Sequence, residues 1–110
     1  MSPALRLNDR TFEREVLSSE VPVLVEFGAS WCLACKAMES VLDEVAGELS
    51  GTAKIARINV DQNPGWAGKF RISGVPTLMV FSSADIVVRK VGAMSKKQIR
   101  ELIELALDSG

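Results

Sequence analysis

The strongest structural signal in this chain of 110 residues is the run VPVLVEFGASWCLACK at positions 21–36. Residues 21–27 are almost continuously apolar and rich in β-branched side chains, and Gly28 bounds them. This pattern is typical of a strand covered on both faces. Over residues 32–49 the apolar positions recur every three or four residues, which predicts a helix with one buried stripe. A buried strand that leads into a helix predicts the first half of a parallel crossover.

The rest of the chain continues this alternation of helices and strands. Asn8 or Asp9 can cap a short helix that carries Phe12, Val16 and Leu17, and a second short helix is predicted over 66–70. Strands are predicted over 54–60, 77–81 and 86–91, with a hairpin connection over 82–85 that lacks the usual glycine. A last helix is predicted after a capping box of Ser95 and Gln98. We read the order as β-α-β-α-β-α-β-β-α, in which the leading strand has no assigned residues. The expected fold class is a three-layer α/β/α sandwich with a central mixed five-stranded sheet and four helices, in one domain over 1–110.

The composition excludes several classes of protein. Hydrophobic residues make up 47% and charged residues 25%, which is typical of a globular domain and excludes a disordered tail. A net charge of −1 argues against a nucleic-acid partner, and the absence of histidine removes the usual general base. The first ten residues are too polar for a signal peptide, and no apolar run approaches the roughly 20 residues of a membrane span. We therefore expect a cytoplasmic protein without a membrane partner.

Cys32 and Cys35 are the two cysteines of the chain, and three readings without catalysis apply to them. A zinc site needs four ligands, whereas the chain offers two thiolates and no imidazole. A purely structural disulfide across so short a loop would contribute only about 2 kcal/mol in the chain-entropy model. Two inert buried thiols would fit Cys35, which lies on the apolar stripe. They would not fit Cys32, which begins the helix beside turn residues.

A redox-active dithiol explains both cysteine positions. At a helix N-terminus, Cys32 would meet unpaired N–H groups and the positive end of the helix dipole, which favour its thiolate. Lys36 adds a nearby positive charge, and Cys35 is one turn further along. We expect the Cys32 thiolate to attack a partner disulfide. Cys35 would then attack the mixed disulfide and release the reduced partner.

Glu26 is the candidate proton acceptor for Cys35, because it interrupts the apolar strand two residues before Gly28. A carboxyl buried there would have its pKa raised by desolvation and could exchange a proton near neutral pH. The other reading places Glu26 at a strand edge in solvent. Arg57 shares a strand face with Ile55, so it is either a neighbour of Glu26 or a solvated residue.

The chain resembles the thioredoxin family over nearly its whole length. The matching segments are Phe27, Ala29-Ser30-Trp31-Cys32, Cys35-Lys36, Leu42-Asp43-Glu44, Asn59-Val60-Asp61-Gln62-Asn63-Pro64, Gly74-Val75-Pro76-Thr77-Leu78 and Lys90-Val91-Gly92-Ala93. The specific part is the tryptophan-flanked cysteine pair together with the later Val75-Pro76-Thr77. The resemblance implies the thioredoxin fold and a dithiol–disulfide oxidoreductase in which Cys32 is the nucleophile and Cys35 the resolving thiol.

The resemblance also implies how substrates and partners are handled. Val75-Pro76 would be a cis peptide beside the dithiol, and the Val75 backbone would pair with an extended substrate segment. Trp31, Val75, Pro76, Gly92 and Ala93 would form an apolar docking rim for disulfide-containing protein substrates. We expect a monomer that needs no metal or cofactor beyond its redox-active disulfide. An NADPH-dependent flavoprotein reductase would recharge it.

The chain departs from the family pattern near the dithiol. Leu33-Ala34 replaces the usual Gly-Pro, which leaves the redox potential open. Glu26 replaces an aspartate, Gly28 an aromatic residue, and Ser40 a helix-kinking proline, which predicts a straighter helix. Two alternatives to a disulfide reductase therefore stay open. One is a redox-sensitive protein-binding module, and the other is a more oxidising oxidase or isomerase.

Overall fold

A five-stranded mixed sheet forms the centre of the fold, in a computed structural model that describes residues 3–109. The strands are β1 (Leu5–Leu7), β2 (Val23–Gly28), β3 (Lys54–Asn59), β4 (Thr77–Ser82) and β5 (Asp85–Val91). They lie in the order β1-β3-β2-β4-β5. β3 pairs in parallel with β1 and β2, whereas β4 is antiparallel to β2 and β5. The predicted mixed sheet with an antiparallel hairpin at one edge is confirmed.

Helices cover both faces of this sheet. They are a short π-helix (Glu13–Leu17), α1 (Leu33–Ala37), α2 (Glu39–Glu48), α3 (Pro64–Lys69) and α4 (Lys96–Ser109). Val23 and Val25 belong to the buried cluster of the π-helix and α3, while Leu24 between them belongs to the cluster of α2 and α4. This alternation is what a strand buried on both faces requires, and it confirms the three layers. Within residues 3–109, no helix is both long enough and apolar enough to cross a membrane.

The leading strand is β1, to which the sequence analysis assigned no residues. Leu5 and Leu7 lie opposite Ala56 and Ile58 in a parallel register at the sheet edge. A three-residue strand with Arg6 at its centre has too little apolar alternation to be recognised locally. Its partner lies about fifty positions further along the chain, so only the tertiary structure identifies it.

The short helix predicted to carry Phe12, Val16 and Leu17 forms over Glu13–Leu17 with Phe12 as its N-cap, so it begins later than the predicted cap at Asn8 or Asp9. The side chain of Asn8 accepts hydrogen bonds from the N–H groups of Arg10 and Thr11, which closes a turn rather than a helix. Asp9 instead accepts from the N–H groups of Gly65 and Trp66, at 2.9 and 3.2 Å. Asp9, from a distant part of the sequence, therefore supplies the hydrogen-bond acceptors that the free N–H groups in the first turn of α3 need.

The helix predicted over 32–49 is interrupted at Met38, although Ser40 replaces the proline that would explain a kink. Met38 has φ −88° and ψ −10°, and its N–H reaches back to the Cys35 carbonyl. Leu42 then donates to the Met38 carbonyl and restarts the regular ladder. The expectation of a straighter helix is wrong, and the cysteines lie on a short helix of their own.

The two structural predictions near the C-terminus are confirmed with small differences. The β4–β5 connection is only two residues long, and Ser83 and Ala84 both have positive φ, at 51° and 72°. That left-handed pair matches the twist of a two-residue hairpin, and it forms here without glycine. The capping box also forms, because Gln98 accepts from the Ser95 N–H at 2.9 Å and donates its own N–H to Ser95 Oγ at 3.2 Å.

Candidate active site

The two cysteines lie just beyond the carboxyl end of β2, where α1 begins. Cys32 has extended backbone angles and is the N-cap of α1. Its Sγ accepts a hydrogen bond from the Cys35 N–H at 3.1 Å. The two residues are joined by a disulfide, with their Cα atoms 5.2 Å apart. The helix start therefore points an N–H donor at the Cys32 sulfur, an arrangement that stabilises a thiolate when the bond is reduced.

The two sulfur-bearing residues differ in their access to solvent. Cys32 is 6% exposed and Cys35 is 1% exposed. Together with Ala29 they form a small buried cluster, against which Ala34 and Val75 pack. An incoming group therefore meets Cys32 first, while Cys35 is covered and available only from within.

The segment predicted to dock substrates lies against this cluster. The Val75–Pro76 peptide is cis, as the resemblance implied. The Gly92 N–H donates to the Pro76 carbonyl at 2.8 Å, and Gly92 has φ +109°, which favours glycine. The chain thus places Val75, Pro76 and Gly92 together, and Ala93 follows as an exposed residue.

Trp31 immediately precedes Cys32 in the sequence, and its side chain is 68% exposed. Its indole Nε1 donates to Asp61 Oδ2 at 2.8 Å, which fixes one edge of the ring. Leu33 is even more exposed, at 80%. Two large apolar side chains therefore flank Cys32 in solvent.

Glu26 is buried, at 1% exposure, so the reading of this residue as a solvated edge group is wrong. Arg57 lies beside it on β3, and Arg57 Nε donates to Glu26 Oε1 at 2.9 Å. Burial raises the pKa of Glu26, an effect that the hydrogen bond and positive charge of Arg57 partly oppose. Of the two readings of Arg57, the structure shows the neighbour of Glu26 and not the solvated residue.

Arg57 connects this carboxyl group to two further elements. Its Nη1 lies 3.0 Å from Glu39 Oε1 at the start of α2, and its Nη2 donates to the Cys35 carbonyl at 3.5 Å. The two carboxylates raise the pKa of Arg57 against the opposing effect of its burial, so it stays charged. Arg57 therefore holds Glu26 and the backbone of the inner cysteine in one polar network.

Glu26 Oε2 has no hydrogen-bond partner among the described residues. A Cβ placed on Gly28 would lie 2.9 Å from this oxygen and 3.2 Å from Cys35 Sγ. The oxygen and the sulfur are therefore no more than about 6 Å apart, and both border the space above Gly28. A groove of about 630 Å³ opens at this point, and the residues relevant here that line it are Glu26, Gly28, Lys36, Glu39 and Arg57.

Two residues of this site, Glu39 and Asp61, were not among the site residues predicted from the sequence, and Gly28 was noted only as a departure from the family pattern. Glu39 is one helical turn beyond Cys35, so its helical spacing was the available signal. Asp61 lies just after the carboxyl end of β3, and Gly28 is the last residue of β2. The carboxyl ends of parallel strands meet at one edge of a sheet, which could have placed Asp61 near Trp31. Lys36, which was predicted to support Cys32, is exposed and lies on the groove.

The comparisons with known proteins agree with this geometry. The thioredoxin family model matches residues 3–105. The chain is 41% identical over 104 residues to Thioredoxin 1 of Nostoc sp., covering 94% of this chain and 97% of that protein. It is 40% identical to a thioredoxin of Haemophilus influenzae, covering 94% and 96% of the two chains. It is 39% identical to a thioredoxin of Pseudomonas aeruginosa, covering 91% and 93%.

These matches and the Cys32–Cys35 disulfide do not favour the two alternatives, a redox-sensitive protein-binding module or a more oxidising oxidase or isomerase. The chain belongs to the thioredoxin family and is a protein thiol–disulfide oxidoreductase with Cys32 and Cys35 as its redox-active pair.

Proposed function

We propose that the chain reduces disulfides in protein substrates by the attack of Cys32 and the resolution of the adduct by Cys35. The observation that carries this assignment is the asymmetry of the pair. Cys32 is the more accessible residue and accepts an N–H at the helix start, whereas Cys35 is covered. A thiolate with an outward path suits attack, and a covered thiol one turn away suits resolution.

The reaction has two steps. The Cys32 thiolate bonds to one sulfur of the substrate disulfide, that disulfide breaks, and the departing sulfur takes up a proton. Cys35 then loses its proton to Glu26 and attacks the Cys32 sulfur. The bond to the substrate breaks, its second sulfur leaves as a thiolate, and the Cys32–Cys35 disulfide remains. Two electrons have passed from the dithiol to the substrate.

Glu26 is the proposed proton acceptor in the second step. Its Oε2 faces the space that Cys35 Sγ also faces, and it is not occupied by a hydrogen bond within residues 3–109. Arg57 holds the other oxygen and so fixes the carboxyl group. At a separation of up to about 6 Å, one water molecule between the two groups would carry the proton.

The proposed docking rim consists of Trp31, Val75, Pro76, Gly92 and Ala93. Val75 packs against the cysteine cluster, and Gly92 is hydrogen-bonded to Pro76, which keeps this edge in place. An extended substrate segment would pair with the Val75 backbone by strand addition. Lys36 adds positive charge on the groove side of α1.

We further propose that the oxidised chain is recharged by an NADPH-dependent flavoprotein reductase in the cytoplasm, where thiols are kept reduced. The chain would act as a monomer without a cofactor, because the two thiols carry both electrons. No nucleic acid or membrane partner is expected from its charge and helices.

The test is catalytic turnover. Reduction of insulin disulfides by dithiothreitol should accelerate in the presence of the wild-type chain and not of Cys32→Ser. Addition of NADPH and a bacterial thioredoxin reductase should replace dithiothreitol. Equal rates with and without the chain would reject the proposed reductase activity.

A further inference from the structure

We propose that Gly28 is a positioning residue for the resolution step, because its missing side chain provides the space in which the Glu26 carboxyl faces the Cys35 sulfur. This inference rests on the proposed role of Glu26. It adds that the resolution step requires a residue without a side chain at position 28.

The backbone at position 28 does not itself require glycine. Gly28 is the last residue of β2, lies opposite Asn59, and accepts the Val60 N–H at 2.9 Å. Its φ lies outside the left-handed region that favours glycine. An alanine therefore fits the local backbone, and the reason for glycine lies in what surrounds the position.

The surroundings leave no room for a side chain. Glu26 and Gly28 are two residues apart on one strand, so they share a face of the sheet. A Cβ at position 28 would meet Glu26 Oε2 at 2.9 Å, Glu26 Cδ at 3.2 Å and Cys35 Sγ at 3.2 Å. Its nearest contacts are therefore the two groups between which the proton is proposed to pass.

Of these two groups, the Glu26 carboxyl is the one that would have to move, because it ends a flexible side chain and its Oε2 has no hydrogen bond among the described residues. Glu26 is buried and its other oxygen is held by Arg57. Cys35 is buried within α1, and its carbonyl is also contacted by Arg57. A methyl group at position 28 would therefore push the carboxyl away from the sulfur rather than being accommodated elsewhere.

The same space provides the route to solvent. Gly28 and Glu26 both line the groove of about 630 Å³. The charged groups around the carboxyl are Arg57 of β3, Arg6 of β1 and Glu39 of α2, and Lys36 of α1 lies on the same groove. A proton taken from Cys35 can thus leave Glu26 through water in the groove without passing the docking rim.

The test compares Gly28→Ala with the matched control Gly68→Ala, at which a Cβ would meet nothing within 4 Å. A mixed disulfide between Cys32 and a small aromatic thiol is formed in each protein, and its resolution is followed over a pH series. Gly28→Ala should resolve roughly tenfold more slowly near neutral pH, a part of what general base catalysis supplies. The rates should converge at high pH, where Cys35 ionises unaided. The first step, attack by Cys32, should be unchanged.

A compensating variant separates positioning from packing. Glu26→Asp withdraws the carboxyl by one methylene and clears the space for a Cβ. In a double-mutant cycle, Gly28→Ala should therefore slow resolution less in the Glu26→Asp background than in the wild type. If Gly28→Ala alone fails to fold, the double variant should recover the fold and resolve the mixed disulfide at nearly the rate of Glu26→Asp alone, and a double variant that also fails to fold would overturn the inference.

Each contrary outcome has a distinct meaning. If Glu26→Gln slows resolution but Gly28→Ala does not, Gly28 has no positioning role and that of Glu26 survives. If Gly28→Ala slows attack and resolution equally at every pH, or if Glu26→Asp gives no compensation, the effect is packing alone and the inference is wrong. If Glu26→Gln leaves resolution unchanged, the role of Glu26 fails first and this inference fails with it.

Discussion

Replacement of Glu26 by glutamine removes the proposed proton acceptor while keeping its shape. Glu26 Oε2 and Cys35 Sγ are at most about 6 Å apart, so a single bridging water is enough to relay a proton between them. General base catalysis contributes about 10²–10⁴-fold to a rate, and the relayed geometry places this site at the low end. We therefore expect Glu26→Gln to slow resolution by about 10²-fold, equivalent to about 2.7 kcal/mol of activation free energy.

The expected loss depends on pH in a definite direction. Only the ionised carboxylate accepts a proton, and burial raises the pKa of Glu26 above its ordinary value of 4.5. The wild-type resolution rate should therefore climb as pH rises through this raised pKa. In Glu26→Gln that limb should vanish, and the rate should rise only where Cys35 ionises by itself.

The assay is stopped-flow resolution of a mixed disulfide on Cys32, with release of a chromophoric thiol. Glu44→Gln is the matched control, because Glu44 pairs with Lys96 on an exposed surface. It should resolve at the wild-type rate. A wild-type rate and pH profile in Glu26→Gln would refute the assignment of Glu26 as the proton acceptor.

Two further predictions concern stability. The pKa of Glu26 is higher in the folded protein than in the unfolded chain, so the folded protein binds the proton more tightly. The wild-type free energy of unfolding should therefore fall as pH rises from 4.5 through the raised pKa. The expected fall is about 1.4 kcal/mol for each pH unit between the unfolded and folded pKa values. Urea unfolding over a pH series should show that Glu26→Gln lacks this fall, and parallel curves for the two proteins would contradict it. Asp9→Ala removes both side-chain acceptors from the first turn of α3 and should cost about 1 kcal/mol, with a melting temperature lower by roughly 4–8 °C. An unchanged melting temperature in calorimetry would show that solvent replaces this cap at no cost.

The sequence was sufficient for the parts of the fold that local pattern encodes. The apolar run of β2 specified a strand covered on both faces, and this same pattern correctly predicted that Glu26 is buried. The capping box of Ser95 and Gln98 is also local and was found. For Arg57 the sequence left two readings open, and the parallel pairing of β2 with β3 places it beside Glu26.

What the sequence did not predict depends on contacts between distant residues. Leu5–Leu7 is a strand only because β3 is beside it, and Asp9 caps a helix that lies 56 positions away. The break at Met38 has no proline or glycine to signal it. Gly28 was noted as a departure from the family pattern, but its meaning appears only when Glu26 and Cys35 meet above it.

We propose that Cys32 makes the bond to the substrate and that Cys35 breaks it. Intact-protein mass spectrometry of Cys35→Ser and Cys32→Ser, each reduced and then mixed with a disulfide-containing protein, tests this directly. The account predicts that Cys35→Ser accumulates a covalent adduct with its substrate and that Cys32→Ser forms none. An adduct on Cys32→Ser, or its absence on both variants, would contradict the account.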